Sequence, residues 1–290
     1  MATAGGSGRS APGGAAPLDR LNIQPASSGT SREKGDHMAR ESTGGPSIIP
    51  AMHPDSSRAR LLAFDTSTEH LSVAVCDGAR VLECSGPGGA QASTTLLPMV
   101  LDLLRQAGLA LAQLDAIAFG CGPGSFTGLR TACSVAQGLA FGTRAQHAEG
   151  VPLLPVDTLL AVAEEARQLA GATNIVAALD ARMDEVYAGR YRFEHGRWLQ
   201  HGDFELLAPQ ALTVPDGWTL AGNAGAVYGD RLAGAPGVAA LPLATAMLRV
   251  APQLLAEGAA VRAEAALPRY VRNKVAKTTA ERMAEKAAAP

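Results

Sequence analysis

The sequence predicts an α/β protein of two lobes, each a mixed sheet with helices packed on it. Three observations lead there. Apolar runs of strand length alternate with longer stretches whose apolar residues recur at helical spacing. An opening pattern of strand, turn and alternating strand occurs twice: Leu61–Asp65 with His70–Cys76 returns as Ile175–Asp180 with Glu185–Tyr191. Aligning Asp180 on Asp65 sets the two copies 115 residues apart, a domain-sized period. Finally, 290 residues at 47% hydrophobic content can bury a sizeable core, which with only 4% aromatics is built of Leu, Val and Ala.

Residues 1–58 are rich in Gly, Ser, Ala and Pro and hold no Phe, Tyr or Trp. Such a segment cannot bury enough apolar surface to offset its ordering entropy, so it reads as a disordered N-terminal extension. Met38 and Met52 are alternative starts. No apolar h-region follows Met1, and Asp19, Glu33, Asp36 and Glu41 argue against an organellar targeting peptide. The expected divisions after it are an N-terminal lobe over 59–157, a C-terminal lobe over 158–275 and a flexible tail over 276–290.

The first lobe opens with a buried strand, Leu61–Phe64, ending at Asp65. Thr66, Ser67 and Thr68 make a hydroxyl-rich turn. His70–Cys76 alternates as a second strand, Asp77-Gly78 is a hairpin signal, and Arg80–Cys84 is a third strand. Ser93 or Thr94 then caps a helix running to about Ala107. Its Leu96, Leu97, Val100, Leu101, Leu103 and Leu104 cover more than one stripe, which predicts burial on two sides. Asp115–Phe119 is a fourth strand, Pro152–Val156 a fifth, and Thr158 to about Ala170 a helix. The second lobe repeats the meander with Arg197–Leu206 as its third strand. Trp218–Ala221 follows as a strand and Ala244–Leu255 as a helix.

The stretch from Phe119 to Gly142 organises the chain. Its loop carries Gly120, Gly122, Gly124 and Gly128, and glycine is used where φ must be positive or another backbone comes close. Gly128 is followed by Leu129-Arg130, which excludes a P-loop. Thr127 stands at the third glycine of a dinucleotide fingerprint, and Pro123 at the first glycine of a nucleophile elbow. The remaining reading is a tight strand-to-helix turn capped by Ser125 or Thr127. In the helix beyond it, Ala132, Ala136 and Ala140 share one face, and Thr131, Val135 and Gly138 keep the next one narrow.

A net charge of −2 and a pI near 6.3 are not the footprint of a protein that grips nucleic acid unaided. Cys76, Cys84, Cys121 and Cys133 have no CxxC spacing and read as small buried thiols. No stretch reaches the roughly 18 apolar residues of a membrane helix, so a cytoplasmic protein is expected. The adjacent Asp184 and Glu185 point to opposite faces of a strand and do not form an acid/base dyad.

GPGSFTGLR with its small-residue helix, FDTST upstream and DARMDEVY downstream resemble the TsaB (YeaZ-like) family over about residues 60–275. The resemblance implies a subunit of the bacterial machinery that makes threonylcarbamoyladenosine in tRNA. The two-lobed pattern fits the actin, sugar-kinase and Hsp70 (ASKHA) architecture, in which the turn after the first strand faces a nucleotide phosphate. Asp65, Thr66 and Ser67 then read as a vestigial nucleotide turn. In the second lobe Arg182 stands where that architecture usually has glycine, which obstructs a close approach to phosphate.

The catalytic relative, the TsaD family, binds a metal through an HxxxH pair after the fifth strand. The corresponding positions here are Thr158 and Val162, so neither metal, cofactor nor catalytic residue is expected. The family pairs with a TsaD-like catalytic subunit through the first two helices, joined by a TsaE-like ATPase, with tRNA reached through the complex. Pairing with itself is the competing state. Leu97, Val100, Leu101, Leu104, Leu129, Ala132, Cys133, Ala136 and Ala140 are the expected interface residues. An ATP-dependent kinase of the same architecture and a metallopeptidase are the alternatives.

Overall fold

The structure is a computed structural model that describes residues 59–232 and 237–272. The expected extension over 1–58 and tail over 276–290 lie outside the described residues. In chain order the elements are β1 (Arg60–Asp65), β2 (His70–Asp77), β3 (Val81–Pro87), α1 (Ala92–Ala107), β4 (Ala116–Gly122), α2 (Phe126–Gly142) and β5 (Leu153–Asp157). The second half continues with α3 (Thr158–Ala170), β6 (Asn174–Arg182), β7 (Glu185–Glu194), β8 (Arg197–Leu207), β9 (Thr219–Ala221), α4 (Ala224–Tyr228) and α5 (Ala244–Ala256).

The strands form two mixed sheets, ordered β3-β2-β1-β4-β5 and β8-β7-β6-β9. The second order repeats the first without a counterpart of β5, so the duplication read from the sequence is a duplication of topology. In both, an antiparallel meander is followed by a strand parallel to the first: β1 pairs β4, and β6 pairs β9.

Strand alternation divides the core. Leu62, Phe64, Val73, Ile117 and Phe119 face α1 and α2. Leu61, Ala63, Ala74, Ala118 and Val156 face the opposite way, into a core shared with α3, α5 and the inner face of the second sheet. The outer face of the second sheet has a smaller core around Val176, Ala178, Val186 and Leu220. Between the sheets, the carboxylate of Glu164 on α3 accepts from Arg167, from the Trp198 indole of β8 and from Arg249 of α5, each at 2.9 Å.

Packing does not follow a division at residue 157. Helix α5, placed in the second lobe by sequence, lies on the first sheet: the Ala244 N–H donates to the Ser72 hydroxyl at 2.9 Å. Just beyond it, Val261 and Leu153 exchange backbone bonds of 2.8 and 2.9 Å.

Two local expectations change. Ser93 and Thr94 do not cap α1; a single 3-10 turn at Gly89–Gln91 leads into the helix, with Gln91 at the cap position. The two hydroxyls are therefore already inside the first turn, where they donate back to the carbonyls of Ala90 and Gln91. Nor is α1 buried on two sides: Leu96, Val100, Leu103 and Leu104 are buried, whereas Leu97 and Leu101 are exposed. Helix α4 has only five residues, too few for periodicity to reveal.

Candidate functional site

Asp65 ends β1 on the face turned toward α5. Its Oδ1 accepts the Ser67 N–H at 2.8 Å and the Ser67 hydroxyl at 2.7 Å, an Asx turn. The second lobe repeats this turn 115 residues later, where Asp180 Oδ1 accepts the Arg182 N–H at 2.8 Å. The two sites differ in their surroundings. Asp180 also accepts from the Tyr228 hydroxyl at 2.7 Å. Asp65 is fully buried and its Oδ2 has no partner. Burial pushes the Asp65 carboxyl up to about 7, against the bonds from Ser67 that lower it. Glycine is required opposite: a Cβ at Gly120 would stand 1.8 Å from Asp65 Oδ2.

The glycine-rich loop closes over this turn. The Ser125 N–H donates to the Ser67 carbonyl at 2.7 Å, and the Thr66 hydroxyl donates to the Gly128 carbonyl at 2.7 Å. A Cβ at Gly128 would meet the Thr66 carbonyl oxygen at 1.8 Å, and one at Gly124 would meet Ser67 Cβ at 2.6 Å. The backbone whose approach these glycines permit is therefore the FDTST turn itself. Asp65, Thr66 and Ser67 are all buried beneath the loop. Ser125 caps α2, its hydroxyl accepting from the Gly128 N–H.

Beside this closed turn a cleft of about 310 Å³ opens between the lobes, lined by Thr68, Glu69, Asp180, Arg182, Asn223 and Tyr270 among others. Arg182 crosses it, donating to Glu69 at 2.8 Å and lying 3.2 Å from Asp180. Arg182, Met183 and Asp184 are left-handed in succession, with φ of 61°, 55° and 63°. Asp184 and Glu185 go separate ways: Asp184 takes Arg231 at 2.6 and 2.7 Å, and Glu185 pairs with Arg272.

The segment after Pro268 is rich in charge, with Arg269 and Arg272 on either side of Tyr270-Val271. It forms no strand among the described residues and threads the cleft instead. The Arg269 N–H donates to the Cys121 carbonyl at 2.6 Å, and Arg272 donates to the carbonyls of Ala181 and Arg182 at 3.1 and 3.3 Å. These inward bonds consume Arg272, whereas Arg269 and Tyr270 stay exposed. Lys274 lies outside the described residues.

At the end of β5, Asp157 was not singled out in the sequence. The signal for it was an Asp directly ahead of a helical run, the N-cap pattern. Its Oδ1 accepts the Leu159 N–H at 2.9 Å and its Oδ2 the Tyr191 hydroxyl at 2.6 Å. Burial pushes its carboxyl up to about 6. The next residue, Thr158, and Val162 one turn later are fully buried in the core of α3. Neither offers a ligand to a metal ion, and no cluster of three His, Cys, Asp or Glu side chains occurs among the described residues. Burial also raises the Cys121 thiol, to about 12, leaving it a packing residue.

The expected interface list divides by face. Val100, Leu104, Leu129, Ala132, Cys133, Ala136 and Ala140 are buried against the first sheet, so the small-residue stripe of α2 lets that helix lie close to its own sheet. Leu97 and Leu101, at 41% and 53% exposure, stand on the open side of α1. The open side of α2 carries Thr127, Thr131, Ser134, Gly138 and Phe141. Helical spacing had set Thr131, Val135 and Gly138 beside the Ala132–Ala136–Ala140 stripe; Thr131 and Gly138 stay on the open side with Ser134, whereas Val135 packs partly buried against the core.

A family model described as TsaD, tRNA N6-adenosine threonylcarbamoyltransferase, matches residues 89–217, from the turn ahead of α1 to just before β9. The chain is 38% identical over 234 residues to the tRNA threonylcarbamoyladenosine biosynthesis protein TsaB of Escherichia coli (strain K12), covering 75% of this chain and 96% of that one. The TsaB protein of Haemophilus influenzae is 46% identical over 127 residues, 44% of this chain and 51% of that one. YeaZ from Pseudomonas aeruginosa superposes with a TM-score of 0.67 at 42% identity, over 73% of this chain and all of that chain. The long match to the E. coli protein and the shared fold agree with the FDTST turn and the GPGSFTGLR loop: the chain belongs to the TsaB family.

Proposed function

We propose that this protein is a non-catalytic subunit of the assembly that makes N6-threonylcarbamoyladenosine in tRNA. It docks on a TsaD-like threonylcarbamoyltransferase and activates it, with a TsaE-like ATPase joining the complex. The transferase moves the threonylcarbamoyl group from its adenylate to N6 of the adenosine beside the anticodon, in the cytoplasm.

The observation that carries this reading is the open face of α1 and α2. It presents Leu97, Leu101 and Phe141 beside a narrow strip of Thr131, Ser134 and Gly138. Apolar side chains next to small residues let a second helix pair approach closely, as in a four-helix bundle. The interior supports the lack of chemistry of its own. The strand-end turn that would meet a phosphate is buried under Gly124–Gly128, and the helix positions that would bind a metal are Thr158 and Val162.

Mixing the full chain with the TsaD-like subunit and measuring mass by light scattering tests it. A heterodimer is expected, in preference to a homodimer. Separate elution of the two proteins, or transfer activity by this chain alone, would overturn the reading.

A further inference from the structure

The described residues contain fifteen arginines and no lysine. Twelve of those arginines lie in ion pairs with carboxylates; among the described residues Arg60, Arg130 and Arg269 do not. Arg60 begins β1, away from the cleft. Arg130 stands beside Tyr270 at the cleft mouth, and the exposed Arg269, the residue before Tyr270, holds its guanidinium 5.0 Å from the Phe204 ring. The Arg130 guanidinium lies 3.7 Å from the centroid of the Phe126 ring and donates to the Tyr270 hydroxyl at 3.0 Å. The Phe126 and Tyr270 rings are 5.0 Å apart, and Tyr270 is 44% exposed.

Neither cation makes an ion pair among the described residues, although the Asp157 carboxyl, raised by burial, is drawn down in part by the charge of Arg269. Glu69 and Asp180 are held by Arg182, Glu185 by Arg272, and Asp184 by Arg231. The rim is therefore a positive, aromatic surface.

We propose that Arg130, Arg269 and Tyr270 form a contact surface for single-stranded RNA, the two arginines holding backbone phosphates and Tyr270 stacking on a base. The surface suits a strand better than a free nucleotide. The turn that would seat a lone phosphate is buried at Asp65 and Thr66 and reaches the cleft wall only at Ser67, whereas the rim is open and lets a polymer pass. Guanidinium groups beside an exposed ring are the chemistry of sequence-tolerant single-strand binding. This rests on the tRNA reading above and gives the subunit its own hold on the RNA. The patch adjoins the N-terminal end of the open α2 face, so one RNA loop can touch both subunits.

The test is fluorescence anisotropy of a labelled anticodon stem-loop RNA titrated with the full chain from about 50 to about 200 mM salt. Two phosphate contacts give a slope of log K on log salt of about −1.4 or steeper. The double variant Arg130→Gln/Arg269→Gln should lower that slope by about 1.4 and weaken binding about tenfold at low salt. Tyr270→Leu should weaken it about tenfold, and Tyr270→Phe should retain it. The inference is overturned by any of four outcomes: no binding by the parent chain, a slope unchanged in the double variant, equal displacement by ATP, or binding that depends only on the residues after 272. Pairing of each variant with the TsaD-like subunit is measured alongside. A parent chain that pairs but does not bind the RNA sinks this inference alone, while a parent chain that binds the RNA but does not pair sinks the docking reading.

Discussion

Tyr191 on β7 donates its hydroxyl to Asp157 at the end of β5, at 2.6 Å, and so ties the second sheet to the outermost strand of the first. Tyr191 is 2% exposed, and its ring packs edge-on against Trp198. Tyr191→Phe keeps the ring and removes the donor, leaving a buried acceptor unsatisfied. The expected cost is about 2 kcal/mol at pH 7. It should shrink at pH 5, because a carboxyl held near 6 is then mostly protonated. Urea unfolding at the two pH values checks this.

Asp65 predicts the direction of a wider pH dependence. Its carboxyl titrates near 3.8 when unfolded and is pushed up to about 7 in the fold. Between those values the folded chain holds a proton that the unfolded chain has released. Stability therefore falls as pH rises through this window, with no penalty below 3.8 and the full penalty above about 7. A shift of this size corresponds to about 4 kcal/mol at most. Asp65→Asn keeps the Oδ1 acceptor for Ser67 and removes the charge. Its unfolding free energy should change less between pH 5 and 8 than that of the parent, and it should be the more stable of the two at pH 8. A parallel pH dependence in both proteins would contradict the burial argument.

Charge placed on the two faces of α2 should have opposite consequences. Ala136 is fully buried against the first sheet, so Ala136→Arg puts an unpaired charge in the core. A loss of about 4 kcal/mol or more is expected, seen as a collapsed melting transition. A Cβ at Gly138 meets nothing within 4 Å. Gly138→Arg should melt like the parent and yet fail to pair with the TsaD-like subunit. Unimpaired pairing would place the interface elsewhere.

The closed loop is tested at its tightest point. Gly128→Ala sets a methyl 1.8 Å from the Thr66 carbonyl oxygen, a backbone atom that cannot swing aside. The loop must lift, breaking the Ser125–Ser67 and Thr66–Gly128 bonds, at an expected cost of about 3 kcal/mol. Hydrogen exchange at Ser67 and Ser125 should rise in step. Protection unchanged at both amides would mean that the loop does not hold the turn.

Period and spacing read well because they are local. The two meanders, the 115-residue repeat, the cap at Ser125 and the limits of α3 each follow from alternation, helical recurrence or a capping side chain within a few residues. What the sequence could not contain was the choice between surfaces. The Ala132–Ala136–Ala140 stripe and the Thr131–Ser134–Gly138 stripe are both narrow. Only the register of β1 and β4, with Phe64 and Phe119 standing toward α2, assigns the first to the core and leaves the second open. Likewise Asp65 and Asp180 make the same turn from the same local pattern. Burial under Gly124–Gly128 closes the first, while the second borders the cleft, because contacts between residues some sixty positions apart decide which carboxylate loses its water.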